Sequence, residues 1–144
     1  MTNANGATTY EVWVAAGTYF ERISLKNDVA LYGFSFGVSY APTALTVTLV
    51  TIAGTAAATA DYFDGRVDTT RGLVGYGCVL DLSEPLDKMI LPGTDRTIAK
   101  LVANVIGAAG TSSQLIFEPV SLNPDPLRIV KNVMTTTQGV TVVP

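Results

Sequence analysis

Two short stretches concentrate the side chains that could do chemistry. DYFDGRVD, residues 61–68, carries Asp61, Asp64 and Asp68, and DLSEPLD, residues 81–87, carries Asp81, Glu84 and Asp87. Paired carboxylates can act as acid and base in glycoside hydrolysis, and loop carboxylates supply the hard oxygen ligands that calcium takes. Both stretches lie in or beside turn signals, where carboxylates are common for conformational reasons alone. Neither follows the EF-hand loop pattern; a structural calcium ion is compatible with them, and no other cofactor is indicated.

The chain contains no histidine, which excludes Ser-His-Asp and Cys-His nucleophilic sites and removes the commonest general base at neutral pH. Cys78, the single cysteine, has no partner for an internal disulfide and no metal-binding spacing around it. Set between Gly77 and Val79 in an apolar run, it reads as a small core hydrophobe. GYG at 75–77 lacks the context of a phosphate-binding loop. Tyr10, Trp13, Tyr19, Tyr62 and Tyr76 are candidates for a sugar-stacking platform, although Trp13 alternates with Val12 and Val14 as a packed residue would. An enzyme is not expected.

The elements that position these residues are strands. YGFSFGVSY, residues 32–40, alternates strictly, so Tyr32, Phe34, Phe36, Val38 and Tyr40 share one face and Gly33, Ser35, Gly37 and Ser39 the other. LVGYGCVLDL, residues 73–82, repeats the pattern: Val74, Tyr76, Cys78, Leu80 and Leu82 on one face, and Gly75, Gly77, Val79 and Asp81 on the other. The bulky faces belong in a core. Glycine inside a strand weakens it and often marks a close approach to the backbone. Placed side by side, the two small faces would form a flat platform for a partner, with Ser35, Gly37, Ser39, Gly75, Gly77, Val79 and Asp81 as candidate contacts. The alternative is that small residues relieve crowding on a twisted sheet or lie beneath a loop or the N-terminal segment. Arg66 and Arg71 are nearby loop anchors of the kind that interfaces use.

Further strands are expected at TYEVWVAA, FERISLKN, ALTVTLVTI, a weaker DYFDGRVDT, TIAKLVANVI, SQLIFEPV, RIVKNVM and GVTVVP, separated by Gly, Pro, Asn and Asp turns such as NPDP at 123–126. No convincing helix intervenes, which points to two antiparallel sheets packed face to face, an all-β sandwich of the jelly-roll kind. At 144 residues, residues 1–144 fit a single domain with a flexible start at 1–9. The composition, 48% hydrophobic and 15% charged, suits a strand-rich domain with a weakly charged surface. A net charge of −3 with nine scattered basic residues offers no stripe for nucleic acid. APTALTVTLVTIAGTAAATA, residues 41–60, is broken by threonines and alanines and falls short of a membrane span; it reads as one strand followed by a flexible Ala/Thr-rich loop at 53–60. The N-terminus lacks the segments of a secretory signal.

From residue 28 onwards the order of elements resembles a cohesin, the bacterial β-sandwich module that binds dockerin domains in cellulosomes and on cell-surface proteins. YGFSFGVSYAPTALTVTLVTI resembles the cohesin stretch in which an aromatic-rich strand, a Tyr and a Pro-containing turn lead into the next strand. RTIAKLVANVIGAAGTSSQLIFEPV resembles the paired late strands, and QGVTVVP the closing strand. The chain departs from the family at Ala41, where cohesins usually carry an Asp before the turn proline. Residues 9–33, TYEVWVAAGTYFERISLKNDVALYG, resemble instead the opening coil of a pectate-lyase-like β-helix, although no repeating coil follows.

The cohesin resemblance implies a non-catalytic protein-protein interaction module, part of a larger extracellular or cell-surface protein, that binds a dockerin-like partner through one sheet face, the face to which residues 32–40 and 73–82 belong. Other readings are a carbohydrate-binding module on a similar sandwich, with a polysaccharide ligand, a polysaccharide-active enzyme fragment suggested by residues 9–33 alone, and a structural repeat of a large surface protein. Edge strands also offer a route to a homodimer.

Overall fold

In the computed structural model the described residues are 9–12, 17–122, 129–136 and 139–142, and their regular structure is entirely strand. The strands are β1 (Thr9–Val12), β2 (Gly17–Asn27), β3 (Leu31–Ser39), β4 (Leu45–Thr51), β5 (Tyr62–Asp68), β6 (Leu73–Val79), β7 (Gly93–Val105), β8 (Ser113–Phe117), β9 (Val120–Ser121), β10 (Ile129–Val130), β11 (Val133–Thr136) and β12 (Gly139–Val142). Trp13, residues 1–8 and the NPDP turn lie outside the described residues.

The strands form two principal antiparallel sheets. In the larger, β5 pairs with β6 and β6 with β3; the opposite edge of β3 is shared, with β8 on its C-terminal end and β11 on its N-terminal end, and β1 and β12 extend these. In the smaller, β7 lies between β2 and β4. The adjacency on which a platform would depend is present over the full length of β6, from Gly33 opposite Val79 to Ser39 opposite Leu73.

The core lies between the sheets and follows from the alternation. Phe34, Phe36, Val38, Val74, Tyr76 and Cys78 are buried on the inner face of the larger sheet, facing Val47, Val50, Leu101 and Ala103 of the smaller. The rings interlock: Phe36 stands 5.7 Å from Tyr76 and 5.8 Å from Phe117, centroid to centroid, within the range where aromatic pairs gain beyond simple burial. Cys78 is buried here, as a core hydrophobe should be, and desolvation pushes its thiol up to about 11.

Several expectations are corrected. Leu82 does not continue the inner face of β6: the strand ends at Val79, Leu80 makes the last inward contact, and Leu82 is 65% exposed in the following loop. RIVKNVM is not one strand. Its first part, β10, pairs with β9 as a small separate hairpin, and only β11 joins the main sheet. The Ala/Thr-rich loop is tied down: Ala57 is fully buried, Ala56 N donates to Thr97 O, and the Thr55 hydroxyl reaches Ile52 O and Ile98 O. Residues 9–33 do not form a coil of parallel strands, since β1 pairs antiparallel with β8 and β2 antiparallel with β7, in different sheets. At the Ala41 turn, where the family's Asp is missing, the Ser113 hydroxyl accepts from Ala41 N at 3.0 Å.

Candidate partner-binding face

The outer face of β5, β6 and β3 is organised by register into rows that run across the strands. Arg66, Gly75 and Gly37 form one row, Asp64, Gly77 and Ser35 the next, and Tyr62, Val79 and Gly33 a third. Directly opposed residues share a face, so these rows describe the surface that a partner would meet.

The first row is not open. Between β8 and β11 one stretch of β3 has no strand beside it, and the chain closes this gap with local bonds: Glu118 N donates to Gly37 O at 3.1 Å, and Gly37 N donates to the side-chain oxygen of Asn132 at 2.9 Å. Asn132 is 3% exposed, so its amide acts as an inserted piece of ladder that satisfies a backbone group no strand reaches. The intervening β9–β10 hairpin then folds back over the outer face. A Cβ on Gly37 would collide with the Glu118 carbonyl oxygen and lie 2.9 Å from Val120 Cγ2; one on Gly75 would lie 2.6 Å from Leu122 Cδ1 and 3.0 Å from Val130 Cγ2. These two glycines therefore seat the hairpin and are not the exposed contacts that period 2 alone suggests. The covering loop is the alternative that the sequence left open.

Among the described residues the second row stays open: a Cβ on Gly77 would meet only Ser35 Cβ, at 4.0 Å, which is ordinary contact distance. Ser35 is half-buried and its hydroxyl donates to Lys131 O at 2.6 Å, pinning the hairpin's return. Leu122, Ile129 and Val130 from the hairpin rise on one side of this floor, and Tyr62, Asp64 and Arg66 from β5 on the other, enclosing about 560 Å³. In the third row Val79 and Tyr62 are both exposed, Tyr62 to 49%.

The remaining predicted contacts are placed differently. Ser39, half-buried, lies at the far end of β3, opposite Leu73 and Ile116. Asp81 follows the end of β6 and is committed to its own loop: its carboxylate accepts from Lys88 N at 3.1 Å, Ser83 N at 3.1 Å and Asp87 N at 3.0 Å, which hold it below the usual carboxylate range. Asp61 is likewise held low, by the Lys88 ammonium first and then by Leu82 N. Asp68 is held low by the backbone N–H of Arg71 and then by its guanidinium, the latter at 2.7 Å. Arg71 is thus spent in the β5–β6 turn, whereas Arg66 reaches the trough, held to Asp64 through Nε at 3.0 Å.

Each of these aspartates serves a turn, a loop or a neighbouring cation, and among the described residues no three His, Cys, Asp or Glu side chains converge to hold a metal ion. Of the five candidate rings, Tyr76 is core and Tyr62 alone is seen on the surface; the side chains of Tyr10, Trp13 and Tyr19 lie outside the described residues. No helix among the described residues is long and apolar enough to cross a membrane. The hairpin and Tyr62 were missed as parts of the site. Two-residue strands carry no periodicity, but Pro119 and the NPDP turn flanking a short apolar run hinted at a local fold-back.

Two solved structures are similar to this chain in fold. The Coh-OlpC-Doc435 complex, a novel type I cohesin-dockerin complex from Clostridium thermocellum, is similar with a TM-score of 0.61 at 16% identity, over 90% of this chain and 79% of that one. The type II cohesin dyad from the adaptor ScaA scaffoldin of Acetivibrio cellulolyticus is similar with a TM-score of 0.59 at 16% identity, over 86% of this chain and 39% of the dyad. The fold is therefore the cohesin β-sandwich. No protein-family model matches the sequence, and no curated protein matches it.

Proposed function

We propose that the chain is a non-catalytic protein-protein interaction module that receives a dockerin-like domain on the outer face of β5, β6 and β3, within a larger extracellular or cell-surface assembly. The observation that carries this reading is Gly77. A glycine in mid-strand lowers stability by roughly 0.5–1 kcal/mol relative to alanine, and here no neighbouring atom of the described residues requires it. A position that costs stability without an internal cause is best explained by something that arrives from outside. Ser35 and Val79 flank it as proposed contacts, with the anchor candidate Arg66 and the exposed Tyr62 beside them on β5.

The shared fold supports the kind of partner, since one of the similar structures is a cohesin bound to a dockerin. The aspartates' engagement with turns, loops and cations supports a binding role over carboxylate catalysis. The test is calorimetry of the chain against a panel of calcium-loaded dockerins, with Gly77→Arg as the control. Binding that the arginine abolishes, in a variant whose melting curve is intact, is the expected result. Binding indifferent to the arginine, or none across the panel, would remove the dockerin reading.

A further inference from the structure

We infer that the outer face of the smaller sheet carries a binding site for an acidic sugar, a uronate unit of a polysaccharide, whose carboxylate is held by Arg22 and Lys100. The site lies on the far side of the sandwich from the strip through Ser35, Gly77 and Val79 and does not depend on how that strip is used.

The register sets the composition of this face. Directly opposed residues share a face, so Arg22 of β2, Lys100 of β7 and Thr51 of β4 stand in one row across the sheet. Ser24 and Thr97 form the row on one side of it, with their hydroxyl oxygens 3.5 Å apart. On the other side Val102 stands opposite Leu49, which is 51% exposed. Along the strands the face therefore reads hydroxyl, cation, aliphatic carbon, over a patch of about 13 by 10 Å. A bare phosphate would use the cations and leave the aliphatic row idle. A uronate uses all three rows: its carboxylate meets the cations, its hydroxyls meet Ser24, Thr97 and Thr51, and the C–H face of its ring lies on Val102 and Leu49. The described side chains of this face include no aromatic ring, so charge and not stacking selects the ligand.

The cation row is what calls for a ligand. Like charges directly opposite each other destabilise a strand pair, and among the described residues neither Arg22 nor Lys100 makes an ion pair. Arg22 is exposed, whereas Lys100 is half-buried against the turn that follows β4, where a Cβ on Gly54 would stand 3.1 Å from Lys100 Nζ. That turn is held in place: Ala53 N donates to Thr51 Oγ1 at 3.1 Å and Ala56 N to Thr97 O at 2.9 Å. Glu21, next to Arg22 in the chain, is buried on the inner face. The other acidic residues along this stretch of β2 and β7 are Asp28, six residues from Arg22, and Asp95, five from Lys100. In extended chain both stand about 15 Å or more away, beyond the screening length at physiological salt. The two acidic residues whose side chains are not described, Glu11 and Asp125, belong by chain position to β1 of the larger sheet and to the segment between β9 and β10. An arriving carboxylate thus supplies the charge that the row lacks.

The probes are glucuronate and galacturonate hexamers, the neutral glucose and galactose hexamers, and inorganic phosphate. Each is titrated to about 1 mM, the weak end of specific binding, into the isotope-labelled full chain while amide shifts are followed. At least one uronate hexamer is expected to shift Ser24, Thr97, Lys100 and Val102, to bind about fivefold or more tightly than its neutral counterpart, and to weaken several-fold as salt rises from about 0.05 M to about 0.5 M. The Arg22→Gln, Lys100→Gln double variant should lose these shifts with a melting temperature equal to or above the parent's, because a like-charge pair is removed. Thr51→Glu, which gives Lys100 a carboxylate of its own, should lose them as well. Neutral hexamers that bind equally, shifts centred on the larger sheet, binding that survives both variants, or no shifts at all would overturn the inference. So would phosphate that moves the same amides more tightly than either uronate, since the site would then be a plain anion site.

Discussion

The glycines of one face have opposite reasons for being there, and the difference is measurable residue by residue. Gly37→Ala forces the Glu118 carbonyl and Val120 away from the sheet, and overpacking of that kind costs about 1–3 kcal/mol. Gly77→Ala meets no described atom closer than Ser35 Cβ at 4.0 Å and relieves the entropic cost of a strand glycine, so its stability should rise by about 0.5–1 kcal/mol. Urea titration of the two variants beside the parent checks both signs; a Gly77→Ala variant as damaged as Gly37→Ala would mean that position is structural after all. Cys78 gives a third residue-level expectation. With its thiol raised to about 11 by burial, it should resist a thiol reagent at neutral pH in the native chain and react promptly in urea; fast native labelling would contradict the core packing described above. The sequence showed that all these glycines face outward, because period 2 is a backbone property. It did not show which were covered, because that depends on residues some 80 or more positions away from Gly37 that carry no alternating pattern of their own.

The β9–β10 hairpin is the element that converts a platform into a trough, and Asn132 is what ties it to the sheet. Asn132→Ala leaves Gly37 N without an acceptor in a buried position, a loss of about 1–3 kcal/mol, and faster amide exchange at Gly37 should accompany it. Unchanged exchange there would show that the side chain is not the effective acceptor. The loop after β6 is held differently, by carboxylates. Asp61 and Asp81 are depressed below their ordinary value of 3.8, so their stabilising effect is complete above that value and is lost as pH falls through the lower folded-state values. Amide exchange at Ser83 and Lys88, corrected for the intrinsic pH dependence, should therefore hold steady from neutral pH to about pH 4 and rise only below it, and Asp81→Asn should raise it at every pH. Long alternating strands such as β3 and β6 were legible in the sequence, and so was their adjacency as a hypothesis. The end of β6 was not. Leu80 and Leu82 continue the alternation on paper, but the Asp81 carboxylate captures three following amides and bends the chain out of the sheet before Leu82 can turn inward.

At the scale of the whole molecule, the two sheets and their shared core follow from composition and alternation, and the cohesin resemblance seen in the order of strands agrees with the similarity to solved cohesins. What the architecture adds is direction. The smaller sheet covers one side of the larger, the hairpin covers part of the other, and among the described residues of β3 and β6 the strip through Ser35, Gly77 and Val79 stays uncovered. The β4 edge is interrupted by a bulge between Val47 and Leu49, a device that discourages strand-to-strand pairing; β5, which pairs only with β6, is one of the other edges. The proposed function puts a partner domain on that strip. The most direct measurement is a backbone-amide footprint of the chain, by hydrogen exchange or chemical shift, in complex with the tightest dockerin of the panel. Protection centred on Ser35, Gly77, Val79 and Tyr62, with the β2–β7–β4 sheet unaffected, is the predicted result; protection centred on that smaller sheet, with Gly77 unchanged, would contradict it.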